Sequence, residues 1–449
     1  MELIKNSRTW LGVVCALTLG FTSCNEHETR KPNIVVIFAD DMGYGDLSCY
    51  GSPNNRTRHI DKMAEEGVRM RSFYAAASLC TPSRASLLTG RSSVRNCPMN
   101  FDPQSKGGLP VSEVTFANLL QEQGYHTMAI GKWHLGHQPQ YLPTRRGFDH
   151  FYGLPYSNDM LLPWCPWLNE EESRLYIYED ETKAKEINRD QDNLTVDYTN
   201  RAISFIKKNR SEPFMLYLAH SMPHVPISTT DEFRGKSKGG LYGDVIETID
   251  WSVGQILKTL KDQGLEDNTL VVFTSDNGPW QDLPSRITKN GIRITDVGST
   301  GGLRGCKAST YEGGFRVPAI IRWPEVVQKG VVVDDVTSTL DIYPTVLHLA
   351  GISVPKGLTI DGHNIWERLT GEKSDVSKPF FYVKADSLQA VRHGMWKCRI
   401  TDVDGVQLFN LNDDPAEKFN VAAHYPQQVD RLRILMKYFA KDSGSKTAF

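Results

Sequence analysis

The chain predicts an α/β protein with a mostly parallel central sheet and helices on both faces. A smaller C-terminal subdomain, with a short antiparallel sheet and a helix, is expected to follow. Three observations predict this. Short apolar β-branched runs such as Ile34-Val35-Val36-Ile37-Phe38 have the character of strands buried on both sides. They alternate with segments of three- and four-residue apolar period. After about residue 360 the pattern changes to short strands and one closing helix.

Taken in order, the first strand is entered through Pro32. Thr115 to Gln123 reads as a helix stopped by Gly124, and Thr127 to Ile130 as the next strand. Asn193 to Asn209 is helical, with Val196, Ile203 and Ile206 on one side, and Phe214 to Ala219 is a buried strand. Val245 to Lys261 carries Ile246, Ile249, Val253, Ile256, Leu257 and Leu260 on one helical face. Gly264 and the strand Leu270 to Phe273 follow. Residues 163–192 and 281–303 are polar and lack a clear period. Both read as long insertions, which in compact domains are commonly functional or mobile. Ala390-Val391-Arg392, Lys397 to Ile400 and Gln407 to Asn410 read as antiparallel strands, and Pro426 to Ala440 as the closing helix. The expected organisation is a signal segment 1–23, a tether 24–31, a catalytic domain 32–360 and a C-terminal subdomain 361–449.

Composition narrows the function. The chain has 449 residues, 40% hydrophobic and 23% charged, which excludes disorder, collagen and coiled coil as its main state. Lys plus Arg is 51 and Asp plus Glu is 53, a net charge of −2. That balance offers no basic face for nucleic acid, so an anionic ligand must be held by a few placed cations. Lys5 and Arg8 precede the uncharged run Trp10 to Phe21, shorter than the roughly 20 residues a spanning helix needs. It has the length of a signal-peptide core. Phe21-Thr22-Ser23-Cys24 resembles a bacterial lipobox. The expectation is an exported protein of the periplasm or outer membrane, touching the membrane only through a lipid on Cys24. Of eight cysteines, one lies in the signal, one is the lipid site and Cys80 is assigned to chemistry. The remaining five are an odd number, so one or two bridges stay possible but a full disulfide framework is not expected.

The chemistry-bearing residues cluster where strands end, which is where ligand sites lie in such folds. The first strand runs into Asp40-Asp41, and the Leu270 strand into Ser275-Asp276-Asn277-Gly278. Each pair alone is an ordinary turn signal. Together they form an all-oxygen set suited to Ca²⁺ or Mg²⁺. In Cys80-Thr81-Pro82-Ser83-Arg84, Pro82 fits a first helical turn and Gly90 a helix stop. Cys80 then stands at a helix N-terminus, which favours negative charge, with Arg84 four residues on and on the same face. Lys132 and His134 close the Thr127 strand, two apart in extended chain and so directed to one side. His220 and His224 follow the Phe214 strand, and Lys307 lies in the Gly-rich run Leu303 to Gly314.

These residues resemble the type I, formylglycine-dependent sulfatases of the alkaline phosphatase superfamily. Cys-Thr-Pro-Ser-Arg matches their maturation signature, and the resemblance runs from Asn33 to about Ala422, including Gln407 to Glu417. It implies that a formylglycine-generating or anaerobic sulfatase-maturating enzyme oxidises Cys80 to Cα-formylglycine. It implies Ca²⁺, ahead of Mg²⁺, on Asp40, Asp41, Asp276, Asn277 and residue 80. Arg84, Lys132, His134, His224 and Lys307 match the polar pocket. Gly153 to Asp159 resembles the segment around the sulfate-contacting serine of arylsulfatase A-like members, which makes Ser157 a site candidate. A hydrated aldehyde offers one hydroxyl to attack sulfur and a second to expel sulfate, whereas a thiol has no such exit. His224 is expected as general acid, assisted by Lys307, and His134 as base, with the two histidines exchangeable. His220 falls outside the matched positions and reads as a packed strand-end residue. The implied substrate is a sulfated glycan, with His137, Asp159, Trp280 and Arg304 as rim candidates. Two alternatives are a phosphohydrolase of the same fold and a non-catalytic lipoprotein that binds sulfated glycans.

Overall fold

The computed structural model describes residues 30–188, 190–372 and 378–448. The expected signal segment, with Cys15 and the expected lipid site Cys24, lies outside the described residues.

Ten strands form one sheet, in the order Val331–Val333, Val68–Met70, Ala319–Arg322, Thr269–Ser275, Asn33–Ala39, Phe214–Ala219, His126–Lys132, His150–Leu154, Tyr176–Glu179, Thr182–Glu186. The five strands from Thr269–Ser275 to His150–Leu154 are parallel. On Asn33–Ala39, Val35, Ile37 and Ala39 enter one core and Ile34, Val36 and Phe38 the other. A strand buried on both faces has no polar side to alternate with, which is why it reads as a continuous apolar run. Helices Leu194–Lys208 and Gly240–Asp262 cover the first face. Helices Cys80–Thr89, Phe116–Glu122 and Ile342–Leu349 cover the second. The sequence places all five parallel strands except His150–Leu154, and the long helices to within a turn, except that Gly240–Asp262 begins five residues early.

Three of these readings gain structure. The 163–192 insertion is not structureless, because Tyr176–Glu179 and Thr182–Glu186 form a hairpin that extends the sheet edge. Its strands are short and largely solvated, so they lack an apolar signature. The 281–303 insertion holds one short helix, Ser285–Thr288, and a 3-10 turn, Ile294–Asp296. The C-terminal sheet has a fourth strand, Phe380–Lys384, beside Ser387–His393, Trp396–Thr401 and Gly405–Asn410. All six described cysteines are free. Among the described residues, no helix is long and apolar enough to cross a membrane.

From Lys31 onward the chain forms one unit. The C-terminal sheet has its own core, with Leu432, Met436 and Phe439 of the helix Pro426–Ser443 packed on Val391, Cys398 and Leu408. A buried polar cluster joins it to the larger sheet. Lys397 Nζ lies 3.0 Å from Glu312 Oε1 and 2.8 Å from Glu417 Oε1, with all three side chains fully buried. The hydroxyls of Tyr74 and Tyr382 donate to Glu312 at 2.6 and 2.7 Å. The Glu312 backbone N–H donates to Glu417 Oε2 at 2.7 Å. One ammonium thereby serves two carboxylates and clamps the loop that begins at Leu303. Removing it leaves both carboxylates in the interior without their shared cation. Lys397→Met is therefore expected to lower unfolding stability by about 3–5 kcal/mol, read from urea unfolding. A change below about 1 kcal/mol would show that the cluster tolerates loss of its cation.

Candidate active site

Strand register assembles the site. Ala39 pairs with Ser275 across the parallel ladder, so the next residues on each strand emerge side by side. Asp41 N–H donates to Asp276 Oδ1 at 3.1 Å, and Asn277 Nδ2 donates to Asp41 Oδ1 at 2.6 Å. Asp41 takes a left-handed turn (φ 62°) to leave the strand. Gly131 pairs with Ala219, and its φ of 97° and close backbone neighbour exclude a side chain. A Cβ there would lie 1.8 Å from the Ala219 carbonyl oxygen. Glycine at that point lets the chain carry Lys132 into the same pocket.

Cys80 is the first residue of the helix Cys80–Thr89, which ends at the left-handed Gly90. Its Sγ, the atom standing where an oxidised residue would carry oxygen, is 3.5 Å from Asp40 Oδ1 and 3.9 Å from Asp41 Oδ1. Arg84 donates to Asp276 Oδ2 from Nη2 at 2.7 Å and from Nε at 3.1 Å, and to the Lys132 carbonyl at 2.9 Å. Lys132 Nζ donates to Asp40 Oδ2 at 2.6 Å and to Ser157 Oγ at 3.2 Å. Lys307 Nζ donates to Asp41 Oδ2 at 2.8 Å. Three carboxylates and three cations are thus buried together, where each charge survives only through its partners.

The electrostatics follow from that packing. Burial alone would raise the Asp40 carboxyl, but Lys132, Arg84 and Lys307 outweigh it and hold it below its ordinary value. Asp41 has one close cation and two carboxylate neighbours, and burial pushes it up to about 7. Burial also pushes the Cys80 thiol well above its ordinary value. The thiol therefore stays protonated and is a weak nucleophile.

Two histidines border the cluster, both held neutral by burial and by the neighbouring lysines. His134 Nε2 faces the Phe101 carbonyl at 2.8 Å, so that nitrogen carries the proton. Nδ1 is then a bare lone pair, buried with no hydrogen-bond partner. His134 has φ 60°, so the extended alternation expected between Lys132 and His134 ends at Lys132. His224 Nδ1 faces the Val225 carbonyl at 2.6 Å, which leaves Nε2 3.5 Å from Asp41 Oδ2. His220 stands apart, with Nε2 3.3 Å from Ser252 Oγ and its ring against Tyr198.

The donor set could hold a metal ion. Ligand atoms of Asp40, Asp41, Cys80 and His224 all lie within 4.8 Å of one another. Asn277 Oδ1 is buried without a partner beside the carboxylates, and such an orphaned amide oxygen is what a cation would satisfy.

The rim candidates divide. Ser157 is in the pocket through Lys132. Trp280 roofs it, 5.6 Å from the His224 ring and 4.7 Å from Lys307 Nζ. Asp159 is buried and faces Arg286 at 3.4 Å. His137 packs edge-on against Tyr156 at 5.7 Å. Arg304 donates to the Glu417 carbonyl at 2.9 Å and stacks on Tyr311, which puts it against the C-terminal segment. Sequence reasoning missed Arg286 and Trp167. Their only signal was membership of the two insertions, which meet here as Arg286 Nη1 donates to the Trp164 carbonyl at 2.6 Å.

Comparison with known proteins agrees with this geometry. Residues 32–352 match the Sulfatase family, and residues 306–438 match the C-terminal region of N-sulphoglucosamine sulphohydrolase. Arylsulfatase G of Rattus norvegicus is 37% identical, over 94% of this chain and 88% of the relative. N-acetylgalactosamine-6-sulfatase of Homo sapiens is 35% identical, over 91% and 85%. The crystal structure of Ps i-CgsB with k-i-k-neocarrahexaose superposes with a TM-score of 0.78 at 31% identity, covering 92% of this chain and 94% of that one. The PsFucS1 sulfatase from Pseudoalteromonas sp. gives a TM-score of 0.82 at 28% identity, covering 93% and 92%. A helix-borne cysteine facing paired aspartates, in a chain matched over most of its length, has one consistent reading: the protein belongs to the sulfatase family and is a sulfuric ester hydrolase.

Proposed function

We propose that the protein removes sulfate from a sulfated glycan, using formylglycine formed from Cys80 and a bound Ca²⁺. The observation that carries the proposal is the position of Cys80 Sγ against Asp40 and Asp41, walled in by Arg84, Lys132 and Lys307. A buried, protonated thiol in that position is a weak nucleophile, which favours conversion of the residue before it acts. Hydrated formylglycine supplies a hydroxyl nucleophile and a second hydroxyl through which sulfate can be released. Asp40, Asp41, Asp276 and Asn277 would hold the cation, which supplies Lewis-acid polarisation of a sulfate oxygen. The relatives support a saccharide substrate, since one is named for N-acetylgalactosamine and another was crystallised with k-i-k-neocarrahexaose.

The chain's own groups divide the remaining work. Arg84, Lys132 and Lys307 offset charge on the sulfuryl oxygens, and Ser157 orients Lys132. His224 Nδ1 carries its proton toward the Val225 carbonyl, so Nε2 must take up a proton before it serves the departing alcohol, and the Lys307 ammonium beside the site already holds one. The lone pair on His134 Nδ1 takes the proton whose loss drives sulfate release. The same reading exports the chain and anchors it through lipid on Cys24.

Sulfate release from the 3-, 4- and 6-sulfates of galactose, N-acetylgalactosamine and N-acetylglucosamine tests the activity. Turnover of at least one ester is expected in natively matured material, and turnover of none would refute the proposal. Cys80→Ala is expected to lose about 10⁴-fold or more in kcat with an unchanged circular dichroism spectrum. His224→Ala should cost about 10²–10⁴-fold on sugar esters and far less on 4-nitrophenyl sulfate, whose leaving group needs no proton. Equal losses on both would move the acid role to another residue. Chelation should abolish turnover, and Ca²⁺ at 100 times its Kd should restore it and add about 2.7 kcal/mol of stability. A melting temperature indifferent to Ca²⁺ would contradict the metal assignment.

A further inference from the structure

Beyond the sulfate pocket, a row of flat side chains leads toward solvent. Trp280 lies over Lys307 and against His224, on the departing-alcohol side of the site. The Arg286 guanidinium lies 5.4 Å from the Trp280 ring centroid and 5.2 Å from that of Trp167. Trp167 is 49% exposed, a large apolar face open to solvent at the end of the row.

Arg286 is fixed in place. Its Nη1 donates to the Trp164 carbonyl at 2.6 Å and lies 3.4 Å from Asp159 Oδ2. Among the described residues all of its hydrogen bonds run through Nη1, so Nη2 and Nε keep their donors for a ligand. Its side chain is 24% exposed, enough for a ligand to reach it. The local charge is balanced. Asp159 meets Arg286 and Asp296 meets Arg293. Neither pair leaves a positive surplus to hold a second anion.

We infer that Arg286 and Trp167, backed by Trp280, form a subsite for an uncharged pyranose ring of the substrate, and not for a second sulfate or a carboxylate. The indole face of Trp167 stacks on the apolar face of the sugar, and the free Arg286 donors bond its hydroxyls. The inference rests on the glycan-sulfatase reading and names the sugar class that its departing-group side accepts.

The test uses the protein with Cys80→Ala, so that binding is read without turnover, by titration calorimetry. The probes are the neutral-sugar ester turned over best in the panel above, glucosamine N,6-disulfate, and inorganic sulfate. Trp167→Ala and Arg286→Ala are each expected to weaken binding of the neutral-sugar ester at least tenfold, and Trp167→Phe to retain most of it. Inorganic sulfate should bind within twofold of the parent in the Trp167 variants. An equal loss for inorganic sulfate, no loss for the sugar ester, or a preference for the disulfated sugar that Arg286→Ala abolishes would each overturn the subsite. Failure of natively matured wild type to release sulfate from any ester would instead sink the underlying activity.

Discussion

The structure depends on burying three carboxylates around three shared cations. Asp40, Asp41 and Asp276 sit at the ends of adjacent strands, inside a sheet covered on both faces. Like charges in such a place would drive protonation or unfolding. Arg84, Lys132 and Lys307 come from three separate elements to meet them. The match of three against three makes the cluster tolerable, and on the proposed mechanism the three cations would face the sulfuryl oxygens where a metal holds the carboxylates. Stability and chemistry here draw on one set of charges.

Lys307 explains why the C-terminal sheet is more than an appendage. It lies on a Gly-rich loop with little core of its own. Glu312, in the same loop, is locked to Lys397 and reached by Tyr382 of the C-terminal sheet. Arg399 of that sheet donates to Thr310 Oγ1 at 3.0 Å and to the Tyr311 hydroxyl at 3.2 Å. Holding an ammonium 2.8 Å from Asp41 requires that the loop not drift, and these contacts set its path.

Much of this was legible in the sequence for a definite reason. Parallel strands buried on both faces leave continuous apolar runs, and the charged residues that follow them stand out by contrast. Asp40-Asp41 and Asp276-Asn277 were readable because both follow such runs. The Cys80 helix was readable because its Pro and Gly mark the ends. Lys132 and His134 were placed correctly at a strand end but with the wrong local geometry, since a left-handed turn at His134 replaces the extended chain. The edge hairpin and the strands Val68–Met70 and Val331–Val333 were not legible. All are short; the hairpin strands are largely solvated, and the other two are fixed by pairing partners far away in sequence. Arg286 and Trp167 were hidden likewise, because an arginine held between two indoles is created by the meeting of two insertions.

The most direct test of the account is a crystal structure of natively matured protein soaked in calcium. The account predicts an oxygen-bearing residue without sulfur at position 80. It also predicts one calcium at about 2.3–2.6 Å from oxygens of Asp40, Asp41, Asp276 and Asn277. An intact thiol at position 80 in catalytically active crystals, or a calcium bound elsewhere with the three carboxylates still paired to lysine and arginine, would contradict it.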